Sequence, residues 1–233
     1  MATISTISAD TCRPGRRRPA SCPRPHQPAR TPEPRRPHAE RARRRQCVQD
    51  GSVPTRILLE GRPGMGKTTA MRRLAALLRT REAVGFTTEE IREAGTRVGF
   101  ALETLTGRRA VLAHTGFPGP TRVGRYGVDL SVMERLAAPS IQPTAAPGRL
   151  VLIDELGRME LACTPFRDAV QALFDSDADI VATVHAGRDP FTDALGQRPD
   201  VEVVHLTPAN RDNLPEALAA RLEHRGPDEP SSA

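Results

Sequence analysis

The sequence predicts an α/β protein with a mainly parallel sheet and helices on both faces. Three observations predict it. An apolar run, Arg56-Ile57-Leu58-Leu59, leads straight into the glycine-rich stretch Gly61-Arg62-Pro63-Gly64-Met65-Gly66-Lys67-Thr68-Thr69, and a helical stripe follows. A second apolar run, Arg149-Leu150-Val151-Leu152-Ile153, ends in Asp154-Glu155. Two further apolar runs, at 179–185 and 201–206, alternate with helical patterns. Short apolar runs of this kind suit parallel strands buried on both faces.

Taken in order, residues 1–52 come first and have no aromatic residue and little apolar clustering, with Arg-Pro punctuation throughout. Such a segment cannot bury enough apolar surface to offset its ordering entropy, so a disordered extension is expected there. The folded domain is expected over 53–225, with a flexible tail over 226–233. After the glycine loop, Ala70, Met71, Leu74, Leu77 and Leu78 recur at helical spacing, with Arg72, Arg73 and Arg79 on the other face. The stretch from Gly85 to Leu105 alternates in short runs broken by Gly95 and Gly99, which suggests twisted strands and turns. Ala110 to His114 reads as a further strand, and 115–130 as loop. A short helix is expected from about Ser131 to Ala138, followed by a Pro/Ala-rich link from Pro139 to Gly148. Thr164-Pro165 reads as a helix N-cap and first helical position, with Phe166, Val170, Leu173 and Phe174 as the apolar stripe. The closing helix carries Leu214, Leu218 and Leu222.

Charge divides the chain. Residues 1–50 carry twelve arginines against Asp10, Glu33, Glu40 and Asp50, a balance of +8. The total is +6, so residues 51–233 carry about −2. Any nucleic-acid contact is therefore expected only through the basic N-terminal segment, by phosphate contacts without base readout. All seven aromatic residues follow position 85, so that segment also lacks stacking side chains. No stretch has the length of a membrane span, and the N-terminus has no continuous apolar core of a secretory signal. Cys12, Cys22, Cys47 and Cys163 are spaced unlike a metal site or a disulfide framework. A cytoplasmic, monomeric chain without membrane contact is the expectation.

The chemistry centres on the glycine stretch, which fits the P-loop spacing G-x-x-x-x-G-K-[ST]. Its backbone N–H groups and the helix N-terminus behind it are suited to a polyphosphate. Lys67 is the single lysine among the 34 Lys and Arg residues. A compact, flexible ammonium at that one position suits phosphate better than a planar guanidinium. Lys67 is placed to reach the β- and γ-phosphates, and the Thr68 hydroxyl to hold Mg²⁺. A strand ending in Asp154-Glu155 brings a carboxylate to that metal, and Glu155 beside it is placed to orient or activate water. The Thr183/His185 end of the following strand converges on the same edge of the sheet. Arg92, Arg97, Arg125, Arg158 and Arg211 are the cations open to transition-state stabilisation. Cys163 is expected in the core, and His114 and His205 are given no role.

Five separated blocks resemble one family, the THEP-type P-loop nucleoside-triphosphatases. They are GRPGMGKTT (61–69), GFTTEEIREAGTRVGFAL (85–102), VGRYGVDL (123–130), LVLIDELGRMEL (150–161) and ANRDNLP (209–215). The resemblance implies a RecA-like P-loop NTPase fold and hydrolysis of ATP, GTP and other nucleoside triphosphates, with Mg²⁺ and little base selectivity. It implies phosphate binding by Gly61 to Thr68, metal binding by Thr68 and Asp154, and Glu155 as the catalytic carboxylate. Arg92 and Arg97 fall inside the second block, which raises them above the other arginines as catalytic candidates. Met159-Glu160 and Asn210-Arg211 also match family positions. Arg158 stands where the family pattern has lysine, and Leu156 where it has isoleucine. The alternatives are a nucleotide or nucleoside kinase, and a nucleotide-gated RNA-binding switch.

Overall fold

Nine strands join into one sheet in the order β5-β6-β4-β3-β2-β7-β8-β1-β9. The computed structural model describes residues 53–78, 81–143 and 149–223. The sequence-predicted extension at 1–52, the tail at 226–233 and residues 144–148 of the predicted link lie outside the described residues. The strands are β1 (Arg56–Gly61), β2 (Ala83–Glu93), β3 (Thr96–Thr104), β4 (Arg109–His114), β5 (Arg122–Val123), β6 (Tyr126–Val128), β7 (Leu150–Leu156), β8 (Asp179–His185) and β9 (Glu202–His205). The helices are α1 (Lys67–Leu77), α2 (Leu130–Val132, a π turn Met133–Ala137, then Ala138–Ser140), α3 (Thr164–Phe174), α4 (Pro190–Gly196) and α5 (Leu214–Glu223).

Five strands, β2-β7-β8-β1-β9, pair in parallel. This is the expected parallel sheet, and its two faces are covered as expected. One core gathers Leu58, Val151, Ile153, Ile180 and Ala182 with Phe166, Val170, Leu173 and Phe174 of α3. The other gathers Ile57, Leu150, Leu152 and Val181 with Met71 and Leu74 of α1 and Leu218 and Leu222 of α5. Alternation along β1 and β7 explains the division, since successive side chains point to opposite faces. Leu77 leaves the expected stripe on α1 and is 39 % exposed.

Beyond β2 the sheet changes character. β2-β3-β4-β6-β5 pair in antiparallel fashion: the stretches expected as twisted strands and a further strand join a meander that also takes in β5 and β6 from the stretch expected as loop. Phe86, Leu102 and Leu112 turn one of its faces into the core, where Phe86 meets the Phe166 ring edge-on. Glu89, Glu103 and Arg109 take the other face and pair with one another. Positive φ at Ala94 and Gly95 forms the tight turn between β2 and β3.

Helix starts differ from expectation by small amounts with local causes. Cys163, in extended conformation, caps α3, which puts Thr164 at the first helical position and Pro165 at the second. The cap makes no side-chain hydrogen bond, and the proline with its fixed φ fits either early position. α4 is an element the sequence reading did not anticipate. Asp189 caps it by accepting from the Phe191 and Thr192 N–H groups, with Pro190 directly after.

Candidate functional site

The sheet order sets the distances of the site. β8 lies between β1, which feeds the glycine loop, and β7, which ends in the two carboxylates. Two strand spacings of roughly 4.8 Å each therefore separate the loop from Asp154-Glu155, a gap that a lysine side chain spans. It does so. The Lys67 Nζ donates to the Gly61 carbonyl at 2.9 Å and stands 3.2 Å from Glu155 Oε2. Lys67 is 7 % exposed, packed over Gly61, where an added Cβ would lie 3.2 Å from its Cγ. Gly64 and Gly66, at φ 74° and 98°, hold the loop in the left-handed region that glycine enters without steric cost. Arg62, Pro63, Gly64 and Thr69 are exposed, while Met65 packs beside Leu59, Ala70 and Leu206.

Asp154 and Glu155 owe their placement to an irregularity in β7. Ile153 pairs with Ala182 and Leu156 with Val184, so Asp154 and Glu155 together stand against Thr183 alone. Two residues against one bend a strand and redirect its side chains. The Asp154–Glu155 peptide is cis. Adjacent strand residues ordinarily face opposite ways, yet here both carboxylates serve the glycine-loop end of the sheet. Asp154 is fully buried, with Oδ1 accepting from the Thr183 hydroxyl at 2.7 Å. Its Oδ2 is buried without a hydrogen-bond partner. Burial pushes the Asp154 carboxyl above its usual range, while the Thr183 and Thr68 hydroxyls and the Thr88 backbone N–H oppose that rise.

These donors suit a hard cation. A buried carboxylate oxygen with an open coordination position, facing a threonine hydroxyl, is the protein contribution that Mg²⁺ takes when phosphates and water fill the rest. Among the described residues, no three His, Cys, Asp or Glu side chains converge as a protein-only metal cage.

Arg92, Arg97 and Arg125 gather around Glu90 and Tyr126. Arg92 and Arg97 both bind Glu90, near the β2–β3 turn, at 2.5 and 2.6 Å. Arg97 also donates to the Tyr126 hydroxyl at 3.1 Å, and Arg125 stacks on the Tyr126 ring and donates to the Arg97 carbonyl. Arg92 and Arg97 thus pair within the β2–β3 turn region and with Tyr126 and Phe100, not with Lys67, Asp154 or Glu155. Arg158 is exposed, and Arg211 lies 3.8 Å from Asp212. His185 is exposed and borders a cavity of about 350 Å³ with Glu60, Arg188 and Asp193. Asn210 ties the loop after β9, donating to the His205 carbonyl and accepting from the Thr207 N–H. Cys163 is buried, as expected.

Two residues of the site carry no assignment from the sequence. Glu160, on a single 3-10 turn (Glu160–Ala162), is 5 % exposed, and Gly157 lies between it and Glu155. The only sequence signal was the position of both within LVLIDELGRMEL.

A strand, glycine loop and helix facing an Asp-Glu pair, its Asp buried, across one intervening strand define a P-loop nucleotide-binding enzyme. Comparison with known proteins narrows this. The chain belongs to the NTPase family whose model, described as NTPase, matches residues 56–219. It is 43 % identical over 159 residues to the nucleoside-triphosphatase THEP1 of Thermotoga petrophila, covering 68 % of this chain and 88 % of that one. The crystal structure of THEP1 from Aquifex aeolicus superposes with a TM-score of 0.67 at 32 % identity, over 72 % of this chain and 99 % of that one. The solution structure of a human cancer-related nucleoside triphosphatase gives 0.65 at 32 % identity, over 74 % and 100 %. Among the described residues no helix is long and apolar enough to cross a membrane.

Proposed function

We propose that this chain hydrolyses nucleoside triphosphates, ATP and GTP among them, to the diphosphate and phosphate with Mg²⁺. One observation carries the reading: the Lys67 ammonium stands 3.2 Å from Glu155, beside a buried Asp154 whose Oδ2 has no partner. The names of the relatives support it. The glycine loop and Lys67 bind the phosphates, and Thr68 and Asp154 hold Mg²⁺. When bound, Mg²⁺ neutralises charge on the β- and γ-phosphate oxygens. Phosphate oxygens compete with Glu155 for Lys67, because they carry more charge at the same cation. Glu155 is then freed to orient and deprotonate the attacking water, a role worth roughly 10²–10⁴-fold in rate.

The test is phosphate release from ATP, GTP, CTP and UTP, with and without Mg²⁺ and with and without monophosphate acceptors. Free phosphate from each triphosphate, dependent on Mg²⁺, is expected. Transfer to an acceptor with negligible free phosphate would make the chain a kinase. Lys67→Ala is expected to lose triphosphate affinity, and Glu155→Gln to keep affinity and lose about 10²-fold or more in kcat. Equal, mild effects from both would move the chemistry away from these residues.

A further inference from the structure

Glu160 has a place in the site that its position in the chain does not suggest. Its turn follows β7 directly and is pinned by backbone hydrogen bonds, Leu161 N–H to the Gly157 carbonyl at 2.9 Å and Cys163 N–H to the Glu160 carbonyl at 3.1 Å. Leu161 and Cys163, which follow it, are buried, so the backbone that carries Glu160 has little freedom. Its carboxyl points back towards the strand end. A Cβ built on Gly157 would lie 2.8 Å from Glu160 Oε2 and 2.9 Å from Glu155 Oε1. The φ of Gly157 lies outside the left-handed region, so glycine is required here by space. The missing side chain leaves a gap that both carboxyl groups border.

We propose that Glu160 is a positioning residue for Glu155, its buried carboxyl fixing the direction of the Glu155 carboxylate across the gap over Gly157. The inference rests on the reading of Glu155 as the group that activates water. Burial first, and the Glu155 charge next, push the Glu160 carboxyl up to about 8, with Asp154 adding in the same direction. The N–H groups of Glu160 and Gly157 pull it down. The charged groups facing the pair are Asp154, on β7, and Lys67, on α1, the latter against Glu155. At neutral pH Glu160 is thus largely neutral. A neutral carboxyl repels no charge and offers a proton donor, which holds Glu155 available as a base.

The experiment is steady-state phosphate release from ATP and Mg²⁺ by the full chain and by Glu160→Gln, Glu160→Ala, Gly157→Ala and Glu155→Gln, with a thermal melt of each. Glu160→Ala and Gly157→Ala are expected to lower kcat by about 10- to 100-fold with KM held within about 2-fold. Glu160→Gln, a neutral side chain of the same shape that still donates, is expected to keep kcat within about 3-fold of the parent. Wild-type kcat in every Glu160 and Gly157 variant, with Glu155→Gln inactive, would overturn this inference and leave the role of Glu155 standing. Glu155→Gln turning over at the parent rate would remove the role of Glu155 itself. Glu160→Gln and Glu160→Ala losing melting temperature and kcat alike would make Glu160 structural and would also overturn the inference.

Discussion

Asp154 is held by one oxygen and open at the other, and the residue that holds it is Thr183. Replacing Thr183 with valine keeps the shape and removes the hydroxyl that donates to Oδ1, leaving the buried carboxylate less well satisfied. The expected cost is about 1–3 kcal/mol of stability, read as a lower urea midpoint. The same variant is expected to need more Mg²⁺ for half-maximal phosphate release, because an untethered Asp154 is a poorer ligand. Glu160 gives a second residue-scale expectation. Its carboxyl titrates near 8 in the folded chain against an ordinary 4.5. Between those values the folded state holds the proton that the unfolded state has released. The stabilising contribution is therefore complete below pH 4.5 and is lost as pH rises through about 8. Thermal melts from pH 5 to 8.5 are expected to fall more steeply in the parent than in Glu160→Gln. The sequence brought Thr183 and Asp154 to one edge of the sheet and marked Met159-Glu160 as a family position, but the burial of Glu160 was not legible. A glutamate four residues beyond an apolar strand reads as solvated, and only the turn that folds it back over Gly157 buries it.

At the scale of elements, the join between β2 and β7 matters most, because it unites the parallel half of the sheet with the antiparallel half. Gly85 stands there at φ 117°, paired with Leu152, and a Cβ would fall 1.8 Å from the Leu152 carbonyl oxygen. Gly85→Ala cannot be accommodated without parting the strands. A loss of about 3 kcal/mol or more is expected in urea unfolding, or no soluble folded protein at all. Short-range signals were the readable ones. The glycine loop, the strand before it and the helix after it declare themselves within a dozen residues. The eleven-residue β2 did not, because Thr88, Glu89 and Glu90 interrupt its apolar pattern where one face meets solvent. α4 was missed because its only large apolar residues are Phe191 and Leu195, although Asp189-Pro190 carries a cap signal. The bulge that turns Asp154 and Glu155 to one end comes from pairing with β8, so no local pattern announces it.

For the molecule as a whole, charge and chemistry reside in different parts of the chain. Residues 1–50 hold a balance of +8 and the remainder about −2. Deleting residues 1–50 is expected to abolish retention on immobilised nucleic acid at low salt while leaving ATP turnover unchanged. Loss of turnover with the deletion would place the basic segment in the reaction. The alternating pattern of strands and helices made the parallel half of the sheet readable, as did the doubling of the apolar stripes on α1 and α3. The antiparallel half depended on which strand β2 would choose, a long-range matter. Lys67, finally, has a consequence outside catalysis. The chain offers amine-directed reagents one side-chain amine, and it sits 7 % exposed at the centre of the site. Acylation of that amine is therefore a stoichiometric count of empty sites, and a bound triphosphate registers as protection of a single, mass-resolved peptide.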